Sequence, residues 1–250
     1  MDLLNKHVPL FHKDKHETES LANLNVYVHD RVFKFDNTVT GVIVPLSGNR
    51  THLHYFFFYE NDNGLKVFHR QVDAHLYDLE HVIVELTGEL VTGVCFFPHA
   101  SMETFWIRGQ DDLNALLVQN RPKTYSSRGK HASYPVSGTI WRYGGFANDQ
   151  NVPVLVPITS VAASEQLLAL DNFDASTFPA IKRRIIGDFS NVPTVALNKA
   201  RYNMLWRKPK NTDEFIVRNR KAYGSRFTIL MLIIVIIVLA VQNSRKNKSL

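Results

Sequence analysis

The chain has 250 residues, of which 45% are hydrophobic and 21% are charged, and its formal net charge is +6. This composition is that of a folded protein and excludes a wholly disordered chain. The single cysteine, Cys95, excludes an intramolecular disulfide and a cysteine-based zinc site.

Short β-branched and aromatic runs dominate residues 26–157 and predict strands. They are VYVHDRVFKF, TGVIVPL, THLHYFFFYE, EHVIVEL and VTGVCFF, and clusters rich in Asn, Asp and Gly separate them. Strands at this spacing indicate a mostly β fold, an antiparallel β-sandwich with a few short helices. We predict those helices at residues 111–118, 160–170 and 178–186, the first with an acidic first turn and the second with a serine N-cap.

The segment DAHLYDLEHVIV, residues 73–84, begins as a cluster of ionisable side chains and continues as an apolar run. In a strand of period two, Asp78 and Glu80 share a face with the apolar residues that follow them. His75 precedes them in the incoming loop and could reach the same rim of the core. One imidazole and two carboxylates suit Mg²⁺, Mn²⁺ or Ca²⁺ better than a structural zinc. The alternative is a set of surface loop charges with locally hydrogen-bonded histidines.

Four segments farther along follow the order and spacing of one family. They are HYFFFYENDNG, DLEHVIVELTGELVTGVCFFPHAS, RPKTYSSRGKHASYPVSGT and GGFANDQ. Over residues 40–155 the chain resembles the vacuolar protein sorting-associated protein 62-like domain. The resemblance implies a link to membrane trafficking.

A fainter similarity connects the chain to the necrosis- and ethylene-inducing peptide-like proteins, which are β-sandwich cytolysins with a divalent metal at the sandwich rim. Aligned with their heptapeptide Gly-His-Arg-His-Asp-Trp-Glu, the segment AHLYDLE places His75, Asp78 and Glu80 on the metal-associated residues. Leu79 stands where both families have Trp. The chain therefore keeps the two carboxylates but lacks the aromatic residue between them.

Three further residues are candidate binding residues. His131, in KHASYP, resembles a second histidine block of such sandwiches and could face the same site; the alternative is a core histidine donating to backbone beside Tyr134. Asn148 and Asp149 could add oxygen ligands, or they could form a turn.

Residues 227–241, FTILMLIIVIIVLAV, form an uncharged apolar run. As a helix the run would be about 22 Å long, shorter than the ~30 Å hydrocarbon core of a typical bilayer. Lys and Arg flank it on both sides, which favours a C-terminal transmembrane anchor over a buried helix. The membrane-facing residues would include Phe227, Leu230, Ile233, Ile237 and Val241.

The predicted organisation is therefore a β-sandwich domain (1–206), a basic polar stalk (207–226), a transmembrane helix (227–241) and a short basic tail (242–250). The N-terminal residues do not have the apolar core of a signal peptide, so we expect the domain in the cytosol. The thin bilayer of the endoplasmic reticulum or a viral internal membrane would suit the short helix.

These features predict a tail-anchored membrane protein that presents a binding or structural module, in membrane trafficking or as a membrane-associated virion protein. Its partners would be the bilayer and another protein; no nucleic-acid motif is present. The alternatives are a metal-dependent hydrolase, with Glu80 or His131 as general base, and a membrane-active cytolysin.

Overall fold

The computed structural model describes residues 3–67, 70–72, 74–98, 104–140, 148–164 and 189–200. The chain divides into two compact units, Met1–Arg207 and Lys208–Leu250. The second unit lies outside the described residues, and so do the predicted stalk, transmembrane helix and tail. Within the described part, no helix is long and apolar enough to cross a membrane.

The described unit is mostly β with few short helices, as the sequence predicts. Its helices are α1 (Leu3–His7), α2 (Leu24–Asp30) and α3 (Gln110–Leu116). Its strands are β1 (Leu10–Asp14), β2 (Thr38–Pro45), β3 (Arg50–Asp62), β4 (Leu65–Val67), β5 (Arg70–Val72), β6 (His75–Thr87), β7 (Leu90–Phe97), β8 (Phe105–Ile107), β9 (Leu117–Val118), β10 (Arg121–Ser126), β11 (Ser133–Tyr134), β12 (Gly138–Ile140), β13 (Asp149–Asn151), β14 (Pro153–Leu155) and β15 (Ser160–Ala163). A 3₁₀ turn covers Leu197–Lys199.

Two larger sheets organise these strands. One has six strands in the order β15-β2-β3-β6-β7-β8, and the other runs β11-β10-β1-β14 with β9 paired to β10. Most neighbours are antiparallel, as expected, but β15 is parallel to β2 and β1 is parallel to β10. Each large sheet is therefore mixed. The two parallel pairs join segments that are far apart in the chain.

The main core lies where side chains of the two sheets meet. Phe11 of β1 stacks on Phe57 of β3, with ring centroids 4.7 Å apart. Tyr55, also of β3, donates its hydroxyl to the Leu4 carbonyl of α1 at 2.9 Å. The aromatic row HYFFFYE is thus a core strand, buried from His54 through Tyr59.

Strand β6 alternates as its period-two pattern predicts. Val82, Val84 and Leu86 are buried in the main core, whereas Ile83 packs on the opposite face with Cys95 and Trp106. Asp78 and Glu80 belong to the Val82 face and lie at its end, so the predicted position of this carboxylate pair is confirmed.

The segment VYVHDRVFKF is predicted as a strand, but its first half is helical and its second half forms only an isolated bridge, between Phe35 and Ala22. Asn23 caps α2 by accepting a hydrogen bond from the Val26 N–H through its side chain at 3.2 Å. Arg31 closes the helix in the left-handed conformation, with φ of 57°. Because Leu24 and Tyr27 are buried on one side of the helix, capping and helical burial prevail over β propensity here.

The predicted helix at residues 160–170 begins instead as strand β15. Val161 is buried against the core, and the Thr38 and Ser160 hydroxyls are hydrogen-bonded at 2.9 Å across the parallel pair. The backbone of residues 160–163 pairs with β2, so it is not available to form a serine-capped helix. Residues 165–170 and the predicted helix 178–186 lie outside the described part.

Replacing Phe57 by alanine should lower the free energy of unfolding by about 3–5 kcal/mol, because the ring is fully buried and stacked between the sheets. Urea denaturation would measure the change. The matched control is Leu90→Ala, at a side chain that is 73% exposed, with an expected change within about 0.5 kcal/mol. Similar losses in both variants would contradict the assigned core.

Candidate functional site

A buried histidine lies at the centre of the polar residues that the sequence singled out. His131 is 0% exposed, and its Nδ1–H donates to Asp78 Oδ2 at 3.0 Å. Its Nε2 lies 3.5 Å from Glu17 Oε2. The Tyr59 ring stacks on the imidazole at 3.7 Å with an interplanar angle of 9°. We call Glu17, Asp78, Glu80 and His131, with Tyr59, the His131 cluster.

Local backbone structure fixes the orientation of His131. The residue has a φ of 53°, in the left-handed region that residues other than glycine rarely adopt. Its N–H donates to Ser127 O at 3.0 Å, and its carbonyl accepts from Ser126 Oγ at 3.1 Å. The tight turn after β10 therefore directs the ring inward, toward the end of β6.

The two carboxylates of β6 have different roles in the His131 cluster. Asp78 pairs with the imidazole, whereas Glu80 Oε2 accepts the Ser133 N–H at 3.1 Å. Asp78 is opposite Tyr59 on β3 and Glu80 is opposite Phe57. Together these two carboxylates bind the segment 131–133 to the central sheet.

Glu17 is the third carboxylate of the His131 cluster, and no sequence pattern identified it. Its Oε2 accepts the Gly129 N–H at 2.6 Å, and its Oε1 accepts the Glu19 N–H at 3.0 Å. Only the tertiary fold brings this N-terminal residue to His131, more than a hundred positions away. It was absent from the predicted site for that reason.

The charges of Glu17 and His131 stabilise each other. Burial by itself would raise the pKa of Glu17, but the His131 ring and two backbone N–H groups lower it to about 2. Burial would likewise lower the pKa of His131, but hydrogen bonds and charge from Asp78 and Glu17 raise it to about 9. At neutral pH the centre of the cluster is therefore an imidazolium held between carboxylates.

His75, the third predicted metal ligand, lies apart from this centre. It is 54% exposed, and its Nε2 is 3.5 Å from Asp62 Oδ2. Asp62 and His75 face each other across β3 and β6. Tyr77, between His75 and Asp78, has a φ of 66°, which interrupts the strand alternation. Asp62 was missed because the sequence ENDNG resembles a turn.

Asp62 connects this outer pair with the His131 cluster. Burial raises the pKa of Asp62, and the nearby Asp78 carboxylate raises it further. The negative charge of Asp78 therefore influences the Asp62–His75 pair at the outer end of the two strands.

The predicted binding residues Asn148 and Asp149 belong to a different contact set. Tyr134 donates its hydroxyl to Asp149 Oδ2 at 2.5 Å, and Lys130 Nζ lies 3.8 Å from Asp149 Oδ1. Asp149 is buried at the start of β13, and Asn148 is partly exposed beside it. These contacts give Asp149 a role in anchoring the segment 130–134.

The arrangement does not form a ready metal shell. Among the described residues, no group of three or more His, Cys, Asp or Glu side chains is placed to hold a metal ion. Both His131 ring nitrogens face carboxylates, and His75 contacts Asp62. As placed, these residues do not fit a divalent cation, and the Mg²⁺, Mn²⁺ or Ca²⁺ site stays a prediction.

Comparisons with known proteins find similarity in solved structures. No protein-family model and no curated protein matches the chain. A solved structure titled "Toxin fold for microbial attack and plant defense" aligns with 77% of this chain and 82% of its own, at 10% identity and a TM-score of 0.41.

Two further structures belong to the same group of proteins. "NLPPya in complex with mannosamine" covers 77% of this chain and 82% of its own, at 11% identity and a TM-score of 0.42. Necrosis and Ethylene inducing Protein 2, from the causal agent of cocoa's Witches Broom disease, covers 90% of both chains at 14% identity and a TM-score of 0.39. The structural neighbours are thus necrosis- and ethylene-inducing toxin-fold proteins, the group to which the fainter sequence similarity points.

Replacing Asp78 by asparagine should lower the free energy of unfolding by about 3–5 kcal/mol, because it leaves the buried His131 imidazolium without its closest counter-charge. Urea denaturation at pH 6 would measure it. Asp111→Asn, at an exposed carboxylate in the first turn of α3, is the matched control with an expected loss below about 1 kcal/mol. Equal, small changes in both variants would contradict the buried ion pair.

The His131 cluster should also make stability depend on pH in two directions. Because the pKa of Glu17 falls from 4.5 to about 2 on folding, its contribution is present above pH 4.5 and is lost as the pH falls toward 2. Because the pKa of His131 rises from 6.5 to about 9, its contribution is complete below pH 6.5 and is lost as the pH rises through 9.

Thermal unfolding followed between pH 3 and pH 10 would test this dependence. The contribution of the pair should be greatest between pH 4.5 and pH 6.5. His131→Gln should remove the alkaline decline, since glutamine does not titrate. An alkaline decline of unchanged size in that variant would assign it to another group.

Proposed function

We propose that the chain is a membrane-tethered, non-enzymatic β-sandwich protein that serves as a binding or structural module, in membrane trafficking or in a virion membrane. The observation that supports a non-enzymatic role is the closed His131 cluster. In this cluster, the ionisable side chains of the segments DLEH and KHASYP form contacts between the two segments.

The burial of His131 argues for a structural role of these residues. A general base needs a ring nitrogen directed at a substrate or a water molecule. Here Nδ1 faces Asp78, Nε2 faces Glu17, and Tyr59 covers one side of the ring. A hydrolase built on His131 and Glu80 would have to break these contacts first, so we do not favour that alternative.

The His131 cluster also accounts for the spacing that resembles the vacuolar protein sorting-associated protein 62-like domain. Residues 78–80 are the start of DLEHV, and residues 131–134 are the centre of KHASYP. Their contacts through Asp78, Glu80, His131 and Ser133 give both motifs one purpose, the attachment of the turn after β10 to the central sheet. A domain held together in this way suits a scaffold that presents its surface to a partner.

A cytolysin-like activity is the other alternative that the sequence left open, after the hydrolase. The partly exposed Asp62–His75 pair is the described part of this region that a ligand could reach, since His131 itself is buried. We place any ligand contact there and not at His131.

Deleting residues 227–241 should release the protein from membranes, because this apolar run is the proposed anchor. The measurement is the fraction of full chain and of deletion variant that stays with membranes after alkaline carbonate extraction. Deletion of residues 242–250, which removes charge but keeps the apolar run, is the control and should leave the protein membrane-bound. Retention of the 227–241 deletion in the carbonate-resistant fraction would overturn the tether.

A further inference from the structure

The face of the six-stranded sheet opposite the main core carries a second group of ionisable side chains. His52 and His54 of β3 and His81 of β6 form a row of imidazoles on this face, which we call the histidine row. Residues 189–195, which we call the strap, begin on this face, where Phe189 and Val192 pack, and end at the main core, where Val195 is buried. None of these residues takes part in the His131 cluster.

The strap is fastened to β8 at Trp106. The Trp106 N–H donates to Pro193 O at 2.8 Å, and the Val195 N–H donates to Trp106 O at 2.8 Å. The indole Nε1–H donates to Phe189 O at 3.0 Å. The strap is therefore held by hydrogen bonds to Trp106, by the packing of Phe189 and Val192, and by the burial of Val195 in the main core.

The Phe189 side chain covers the histidine row. Its ring centroid is 6.0 Å from those of both His52 and His54, and it meets Phe97 edge-on at 5.6 Å. Beneath it, Ile83, Cys95 and Trp106 form a small apolar cluster. Detachment of the strap would expose this apolar cluster together with the imidazoles.

His54 is poorly placed to carry a charge in this arrangement. It is 0% exposed, and its Nδ1 shares one hydrogen bond with His81 Nε2 at 3.0 Å. Its Nε2 is buried and has no hydrogen-bond partner among the described residues. A proton added to this ring would thus lack an acceptor while the strap is in place.

The neighbouring charges offer His54 no compensation. Glu85 is an acidic side chain of this face, and it is already occupied by Arg50 at 2.5 Å, Arg108 at 3.1 Å and His52 at 3.1 Å. The two guanidinium groups are cationic. Cys95 remains an uncharged thiol, because burial raises its pKa. Protonation of His54 therefore adds an unpaired positive charge beside existing ones.

We propose that the strap is a proton-sensitive clasp, in which protonation of His54 favours detachment of residues 189–195 from the sheet and exposes the apolar cluster of Ile83, Cys95 and Trp106. A fall in pH around the domain would then expose a surface that is covered at neutral pH. This role is independent of the proposed membrane tether, because it rests on the described domain alone.

The expected size follows from the linkage between proton binding and opening. Burial, with a smaller contribution from His52, lowers the pKa of His54 from 6.5 to about 3 while the strap is closed. An exposed imidazole would regain its ordinary pKa, so each pH unit below 6.5 raises the equilibrium constant for opening by close to tenfold. Between pH 7.5 and pH 5.0 the opening equilibrium should shift by about 30-fold.

Hydrogen exchange of the full chain in detergent micelles, at pH 7.5 and pH 5.0, would measure this opening. After correction for intrinsic exchange rates, protection of the Val195 amide should fall by about 30-fold at pH 5.0. Protection of β10, on the other large sheet, should change much less. Equal protection of Val195 at both pH values would overturn the proposal, and so would an equal loss throughout the domain.

Variants assign the effect to His54. His54→Gln should abolish the pH response of Val195, whereas His12→Gln, at a ring stacked on Tyr125 of the other sheet, should preserve it. Phe189→Ala keeps every titrating group but removes the ring that covers the histidine row. The Val195 amide should then be poorly protected at both pH values, and this test does not depend on whether His54→Gln folds. A pH response that persists in His54→Gln, or full protection in Phe189→Ala, would refute the clasp.

Discussion

The long antiparallel pair of β3 and β6 is the constraint on which the rest of the structure depends. Both strands have 13 residues, and their register places Tyr59 opposite Asp78 and His52 opposite Glu85. Because side chains alternate across a sheet, this single register assigns one face to the main core and the other to the strap. A slip by one residue would exchange the two faces and place Glu85 in the main core.

Both faces of the sheet bury ionisable groups, but each face stabilises them in a different way. On the core face, His131 carries a charge between two carboxylates, and Glu80 accepts a backbone N–H. On the other face, Glu85 pairs with guanidinium groups, and His54 is kept neutral by burial. The pKa of His131 is raised and that of His54 is lowered because only His131 has carboxylates within reach. The first arrangement holds the domain together; the second gives the strap its proposed sensitivity to acid.

Several parts of the fold were predictable from local sequence. Strands β2, β3, β6 and β7 follow apolar runs whose β-branched and aromatic residues favour a sheet, and α3 follows its acidic first turn. The helix α2 was not predicted, because VYVHD has β propensity and its helical state depends on the Asn23 cap and on burial of Tyr27. Strand β15 was missed because its partner β2 lies more than a hundred residues earlier.

The sequence by itself determined that the chain is mostly β, that Asp78 and Glu80 share the core face of a strand, and that an uncharged apolar run follows the domain. Period-two patterning and hydropathy are local properties, so they can be deduced without a fold. The tertiary structure alone decided which charges meet. Glu17 reaches His131, His75 turns to Asp62, and Phe189 covers His54 because chain segments distant in sequence pack together. Whether an ionisable side chain becomes a ligand, an ion pair or a neutral buried group depends on those partners.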